Sequence, residues 1–176
     1  VPSLCWKGVH ASNELTVFRG NVGISFFGLD AATLPTLRIG RTGDAQVVCG
    51  AGATLTTITQ LGGNLEARSN LTTANIHGGT FTLQAAATLT TLTVGVLDPK
   101  NSTQATVYYN STGTCTTANI RKGGTLDFNQ DPRSKTVTTA NLFAGGTIND
   151  FAKVAAITTL NYGGGSTPGE SNYNNG

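Results

Sequence analysis

Leu71-Thr72-Thr73-Ala74-Asn75-Ile76-His77-Gly78-Gly79-Thr80-Phe81-Thr82-Leu83 is the stretch that decides the fold. An apolar residue leads a Thr-Thr pair, an alternating run follows, and a Gly-Gly pair separates it from a second alternating run. Thr, Asn and Gly are poor helix formers. Branched Thr and Ile favour short strands, and a glycine pair favours a tight turn between them. The stretch reads as strand, turn, strand.

Working outward, the unit recurs. Leu55-Thr56-Thr57-Ile58-Thr59 precedes it, and Leu89-Thr90-Thr91-Leu92-Thr93 follows. The series continues with Cys115-Thr116-Thr117-Ala118-Asn119, Val137-Thr138-Thr139-Ala140-Asn141 and Ile157-Thr158-Thr159-Leu160-Asn161. Leu34-Pro35-Thr36-Leu37 is a degenerate first member. Successive starts lie 21, 16, 18, 26, 22 and 20 residues apart. Gly62-Gly63, Gly123-Gly124 and Gly145-Gly146 repeat the turn, and Asn64–Ala67, Thr125–Phe128 and Thr147–Asn149 repeat the second strand. Thr106–Tyr109 fills that role in the long step, which places an inserted loop near Leu97–Gln104, turning at Asp98-Pro99. Short strands recurring about every 20 residues are the mark of a stacked solenoid. The fold expected is all-β, a single-domain parallel β-helix of about seven coils. Seven coils at ~4.8 Å each make a rod on the order of 30 Å long.

Side-chain alternation assigns the faces. Ala74 and Ile76, Leu92 and Val94, Ala118 and Ile120, and Ala140 and Leu142 turn inward. Thr59, Asn75, Thr93, Asn119, Asn141 and Asn161 turn outward as a polar ladder. The apolar residue before each Thr-Thr pair breaks strict alternation, which predicts a corner at the pair. Gln60 stands where an inward apolar residue belongs. Three segments follow: 1–32, a cap or docking segment outside the repeat with apolar strands at Leu15–Phe18 and Val22–Phe27; 33–162, the coils; and 163–176, a flexible tail rich in Gly and Asn.

Composition narrows the function. The chain has 176 residues, enough for one domain. Only 11% are charged, against about 25% in an average soluble domain. A net charge of +2 is poor ground for a nucleic-acid partner, which needs many phosphates neutralised. No apolar run is long enough for a membrane helix, so no membrane partner is expected. Cys5, Cys49 and Cys115 form neither a disulfide framework nor a zinc pattern and suit a reducing compartment. Cys115 occupies an apolar corner position and reads as a core thiol.

Glu66 and Asp127 fall three coils apart, about 14 Å at ~4.8 Å per coil, too far for the ~5–9.5 Å between glycosidase carboxyls. Asp131 could approach Asp127 or Asp150, but Asp131-Pro132-Arg133 reads as a turn. His77 has no Ser, Cys or His companion and reads as a surface turn residue. Arg121-Lys122, Arg133 and Lys135 form a modest basic cluster that reads as a solvated face. Asn70-Leu71-Thr72, Asn101-Ser102-Thr103 and Asn110-Ser111-Thr112 fit the glycosylation pattern, as chance allows in a chain with 30 Thr and 15 Asn. The outer ladder is similar to the Thr-x-Thr faces of β-helical ice-binding proteins, at Thr57/Thr59, Thr91/Thr93 and Thr73/Asn75. Unequal coil lengths argue against the regular spacing that ice demands. No catalytic residue, cofactor or metal site is expected, and the chain reads as no enzyme.

Thr116-Thr117-Ala118-Asn119-Ile120-Arg121-Lys122-Gly123-Gly124-Thr125-Leu126-Asp127, with Gln130-Asp131-Pro132-Arg133 and Thr136 to Gly146, carries a resemblance. In pattern and composition, over about residues 33–162, it resembles the threonine-rich β-helical structural proteins of tailed bacteriophages. The resemblance implies a virion component, a head decoration (cement) protein that sits on the capsid surface and stabilises the phage head. It implies the major capsid protein as partner and a homotrimer as the state. Trp6, Phe18, Phe26 and Phe27, in the aromatic segment outside the repeat, are then the candidate partner-binding residues, because aromatic anchors dominate interfaces. The alternatives are a phage tail spike or receptor-binding β-helix recognising host glycans, and a bacterial surface adhesin.

Overall fold

The computed structural model describes residues 4–6, 8–9, 14–25, 32–41, 43–96, 103–163 and 172–174. They form two nine-stranded sheets in which every pairing is parallel. Sheet A stacks β1 (Leu4–Trp6), β4 (Gly20–Ile24), β6 (Ala45–Cys49), β8 (Asn64–Ala67), β10 (Gly79–Leu83), β12 (Ala105–Tyr109), β14 (Gly124–Asp127), β16 (Thr147–Asn149) and β18 (Asn172–Asn174). Sheet B stacks β5 (Ala32–Ile39), β7 (Ala53–Gln60), β9 (Leu71–Ile76), β11 (Leu89–Val94), β13 (Thr114–Ile120), β15 (Lys135–Phe143) and β17 (Ala155–Gly163). Two short strands, β2 (Gly8–Val9) and β3 (Glu14–Val17), pair side by side with β5. The chain alternates between the sheets, so it winds a parallel β-solenoid of seven coils from β5–β6 to β17–β18. No helix occurs among the described residues.

Register follows the Thr-Thr pairs. Leu34, Leu55, Leu71, Leu89, Cys115, Val137 and Ile157 form one continuous column. Pairing then skips a residue in every coil and resumes at the second threonine, Thr36, Thr57, Thr73, Thr91, Thr117, Thr139 and Thr159. The skipped position is the first threonine of the pair, where the chain bends and presents an exposed side chain from Thr56 to Thr158. In the first coil it is Pro35. Proline has no N–H to give a ladder, and here the ladder asks for none.

The interior is filled by stacked apolar columns. Leu37, Ile58, Ala74, Leu92, Ala118 and Ala140 are fully buried in one. Val47, Leu65, Phe81, Val107, Leu126 and Ile148 face them from sheet A at 2% exposure or less. Tyr109 and Phe128 fill the corner with ring centroids 5.8 Å apart, and the Tyr109 hydroxyl donates to Gly113 O at 2.7 Å. Gln60 is fully buried in the Ile39–Ile76 column. Its Nε2 donates to Gly63 O at 2.9 Å and to Thr80 O at 3.0 Å. Gly63 O also accepts from Thr80 N at 2.9 Å, so the Gln60 amide adds a second bond to the turn and one to β10 that an isoleucine would not supply.

The outer ladders are hydrogen-bonded along the stack. Asn141 Nδ2 donates to Asn119 Oδ1, and Asn161 Nδ2 to Asn141 Oδ1, both at 2.9 Å. Sheet A has its own ladder, with Asn174 Nδ2 on Asn149 Oδ1 at 2.9 Å and Asn149 Nδ2 on Asp127 Oδ2 at 3.4 Å.

At the ends the stack extends beyond the Thr-Thr repeat. Within 1–32, β1 and β4 add two rungs to sheet A, while β2 and β3 together add one to sheet B. In the stretch expected to be flexible, Asn172–Asn174 pair with β16 as the last rung of sheet A. Residues 164–171 and 175–176 lie outside the described residues, as do 97–102, where the inserted loop was placed.

Candidate functional site: ends and outer faces of the solenoid

Of the four candidate partner-binding residues, Phe26 and Phe27 lie outside the described residues. Trp6 pairs with Ile24, so it stands at the head of an inward column, half-buried and packed against the core. Phe18 follows β3 and is 67% exposed, its ring lying over Gly40 of the next coil. The structure thus brings Trp6 and Phe18 to the same end of the rod, in different environments. Leu4 joins them there at 52% exposure. It belongs to the inward Val22–Val47 column but has no rung beneath it among the described residues.

The opposite end has the same character. Tyr162 continues the inward Leu142 column at 62% exposure, and Phe151, in the turn after β16, is 59% exposed. Ile157, Leu160, Val154 and Tyr173 are half-buried at this end. Leu4, Phe18, Phe151 and Tyr162 are the large exposed apolar side chains among the described residues, and all lie on or beside the rungs at the two ends. A solenoid must expose its inward columns where the stacking stops.

Between the ends, ionisable groups are tied into the scaffold. Asp127 Oδ1 accepts from Asn129 N at 2.8 Å, and Asp150, 2% exposed, accepts from Val154 N and Ala155 N at 2.9 and 3.1 Å. Asp131 accepts from Arg133 N at 2.9 Å and from the Arg133 guanidinium, which also reaches Asn110 O at 3.1 Å. Those bonds, with the nearby Lys135 ammonium, hold the Asp131 carboxyl well below the usual carboxylate range. Glu66 and Asp127 stand three rungs apart in one column, linked through Thr82 and Tyr108, as the repeat predicts.

Lys135 corrects the expected solvated basic face. It is fully buried, its Nζ donating to Asp131 O at 2.9 Å and to Arg133 O, 3.5 Å from the Asp131 carboxylate. Arg121 lies over the Phe143 ring, 5.3 Å from its centroid. His77, partly exposed in the turn between β9 and β10, has Nδ1 2.8 Å from Gly95 O. Cys115 is buried as the repeat predicts, and burial pushes its thiol and that of Cys49 up to about 12. Neither is a nucleophile at neutral pH. No group of three or more His, Cys, Asp or Glu side chains among the described residues could hold a metal ion.

Sheet B bears on the ice-binding comparison. Its register runs without interruption through the 26-residue step, so rung spacing is regular despite unequal coil lengths. In the column of second threonines and the one two residues beyond it, paired hydroxyls nevertheless occur only at Thr57/Thr59 and Thr91/Thr93, separated by Thr73/Asn75; Arg38 opens the outer column, and Thr93 is itself buried. Sheet A carries a shallow groove of about 260 Å³ on the outside of β6, β8 and β10. Sequence reading missed this groove, because its residues come from three coils. The alignment of second strands was the signal that could have assembled them. Compared with family models, curated proteins and solved structures, the chain matches none.

Proposed function

We propose that the chain is a non-enzymatic virion structural protein, a capsid decoration protein that binds the major capsid protein of a tailed bacteriophage as a homotrimer on the head surface. The observation that carries this reading is the segregation of exposed apolar surface to the ends of the rod, with Leu4 and Phe18 at the N-terminal end. Large apolar side chains at a rim of otherwise Thr- and Asn-covered surface are where a protein partner gains most from burial. The walls support the same reading, since their carboxylates close turns or pair with arginines. Function is then mechanical: a stiff coil stack stands off the lattice, and the N-terminal rungs hold it there.

Quantitative mass spectrometry of purified particles encoding the chain tests the proposal. Hundreds of copies per particle fit decoration. A handful of copies would place the chain in the tail, and none would remove it from the virion. Deleting residues 1–32 from an otherwise folded chain should abolish binding to undecorated heads, and full binding by that deletant would overturn the docking assignment.

A further inference from the structure

The groove on sheet A is lined by outward side chains in two columns, Gln46–Asn64–Thr80 and Val48–Glu66–Thr82. The second column continues to Tyr108 on the next rung. Tyr109, its neighbour in sequence, turns inward and is fully buried. Tyr108 therefore brings an aromatic ring to the outer face of the same sheet.

We propose that this groove binds a neutral glycan chain, with Gln46, Asn64, Glu66, Thr80 and Thr82 engaging sugar hydroxyls and Tyr108 stacking against a ring. The chemistry matches in three respects. Two amides, a carboxylate and two hydroxyls offer donors and acceptors together, which vicinal hydroxyls require and a purely cationic or anionic ligand does not. The Glu66 carboxylate is paired with Arg68 Nε at 2.7 Å, so the face has no unbalanced charge with which to attract an ion. An amphipathic phenol at the edge suits a sugar, which has an apolar ring face and a polar rim.

Competing ligands fit less well. Backbone groups of β6, β8 and β10 are paired on both sides, so a peptide cannot add as a strand. Val48 is the one apolar side chain in the two columns, too little to anchor an amphipathic helix. The volume falls below the usual ~300–1,000 Å³ of pockets that enclose a whole ligand, which suits one sugar residue of a chain lying across the surface. All the groups stand on strands within a stacked sheet, so little ordering is needed on binding.

The site is on the side of the rod and is independent of docking through its N-terminal end. Isothermal titration of the full chain with cellohexaose, maltohexaose and chitohexaose, and with hexagalacturonate as an acidic comparator, tests it. Saturable binding of at least one neutral hexasaccharide at millimolar or lower concentration is expected. Tyr108→Ala and the shape-conserving Glu66→Gln should each weaken it about tenfold, whereas Thr91→Ala on sheet B leaves it unchanged. Circular dichroism establishes that each variant is folded. Absence of saturation with all three neutral probes, preference for the acidic one, or unchanged affinity in both groove variants would overturn the proposal.

Discussion

The Nζ of Lys135 and the carboxylate of Asp131 close one corner of the solenoid together, with Arg133 holding the carboxylate from outside. A carboxyl depressed by such bonds stabilises the folded state fully above the ordinary Asp range, near pH ~3.9, and loses that contribution as pH falls below it. Asp131→Asn should therefore lower the urea midpoint at pH 7. Its deficit should narrow as both proteins are acidified below about pH 4. A deficit that stays constant with pH would show that the ionised carboxylate is not the stabilising group. A charge pattern alone puts Arg133 and Lys135 on one solvated face; the structure separates them. The legible signal was positional. Two residues before each corner apolar residue stand Ala32, Ala53, Ser69, Ala87, Gly113 and Ala155, all small, and Lys135 occupies the same place. Only a long chain that curls back to its own turn fits that column. Gln60 is the parallel case, an inward polar residue whose partners, Gly63 O and Thr80 O, belong to the turn and to the next coil. Sequence shows such a residue as an exception but not what it bonds.

At the scale of the strand and its turn, close stacking of coils is the constraint. Gly79 has φ +78°, and a Cβ there would lie 2.2 Å from Gly63 O of the coil before it. Gly20 has a similar φ of +89° with open space around it. Left-handed backbone costs a non-glycine residue roughly 1–2 kcal/mol. Gly20→Ala should show about that loss. Gly79→Ala should lose more, because the rung below must also move, and thermal melts of the two variants measure the difference. Equal losses would mean that the approach between coils is not limiting. The strands of the coils were legible because one marker, the Thr-Thr pair, recurs where each sheet-B strand bends. The pairing of β1 to β4 with the same sheets was not, because Glu14-Leu15-Thr16-Val17 alternates like its neighbour β5 but lacks the marker. The groove on sheet A was illegible for a related reason: alternation reports which way a side chain points, not what stands beside it one coil away.

For the molecule as a whole, each rung rests only on its neighbours, so protection against opening should depend on position along the rod. Hydrogen exchange should be slowest in β9 to β13, at the centre of the stack, and faster in β1 and β17, each with a rung on one side alone. Uniform exchange across all rungs would mean that the coils open as a single unit. The end rungs also carry the exposed apolar residues, so binding of a partner there should slow exchange from that end inward. The unbroken register across the 26-residue step has a consequence of its own. Sequence added between Val96 and Thr103 should leave the spacing of the rungs untouched, because that spacing is set by the backbone pairing of the strands on either side. The rod therefore works as a graduated post, with marks every ~4.8 Å, on which an appendage can be exchanged or lengthened at a fixed height. Selection can vary what the post displays without rebuilding the post.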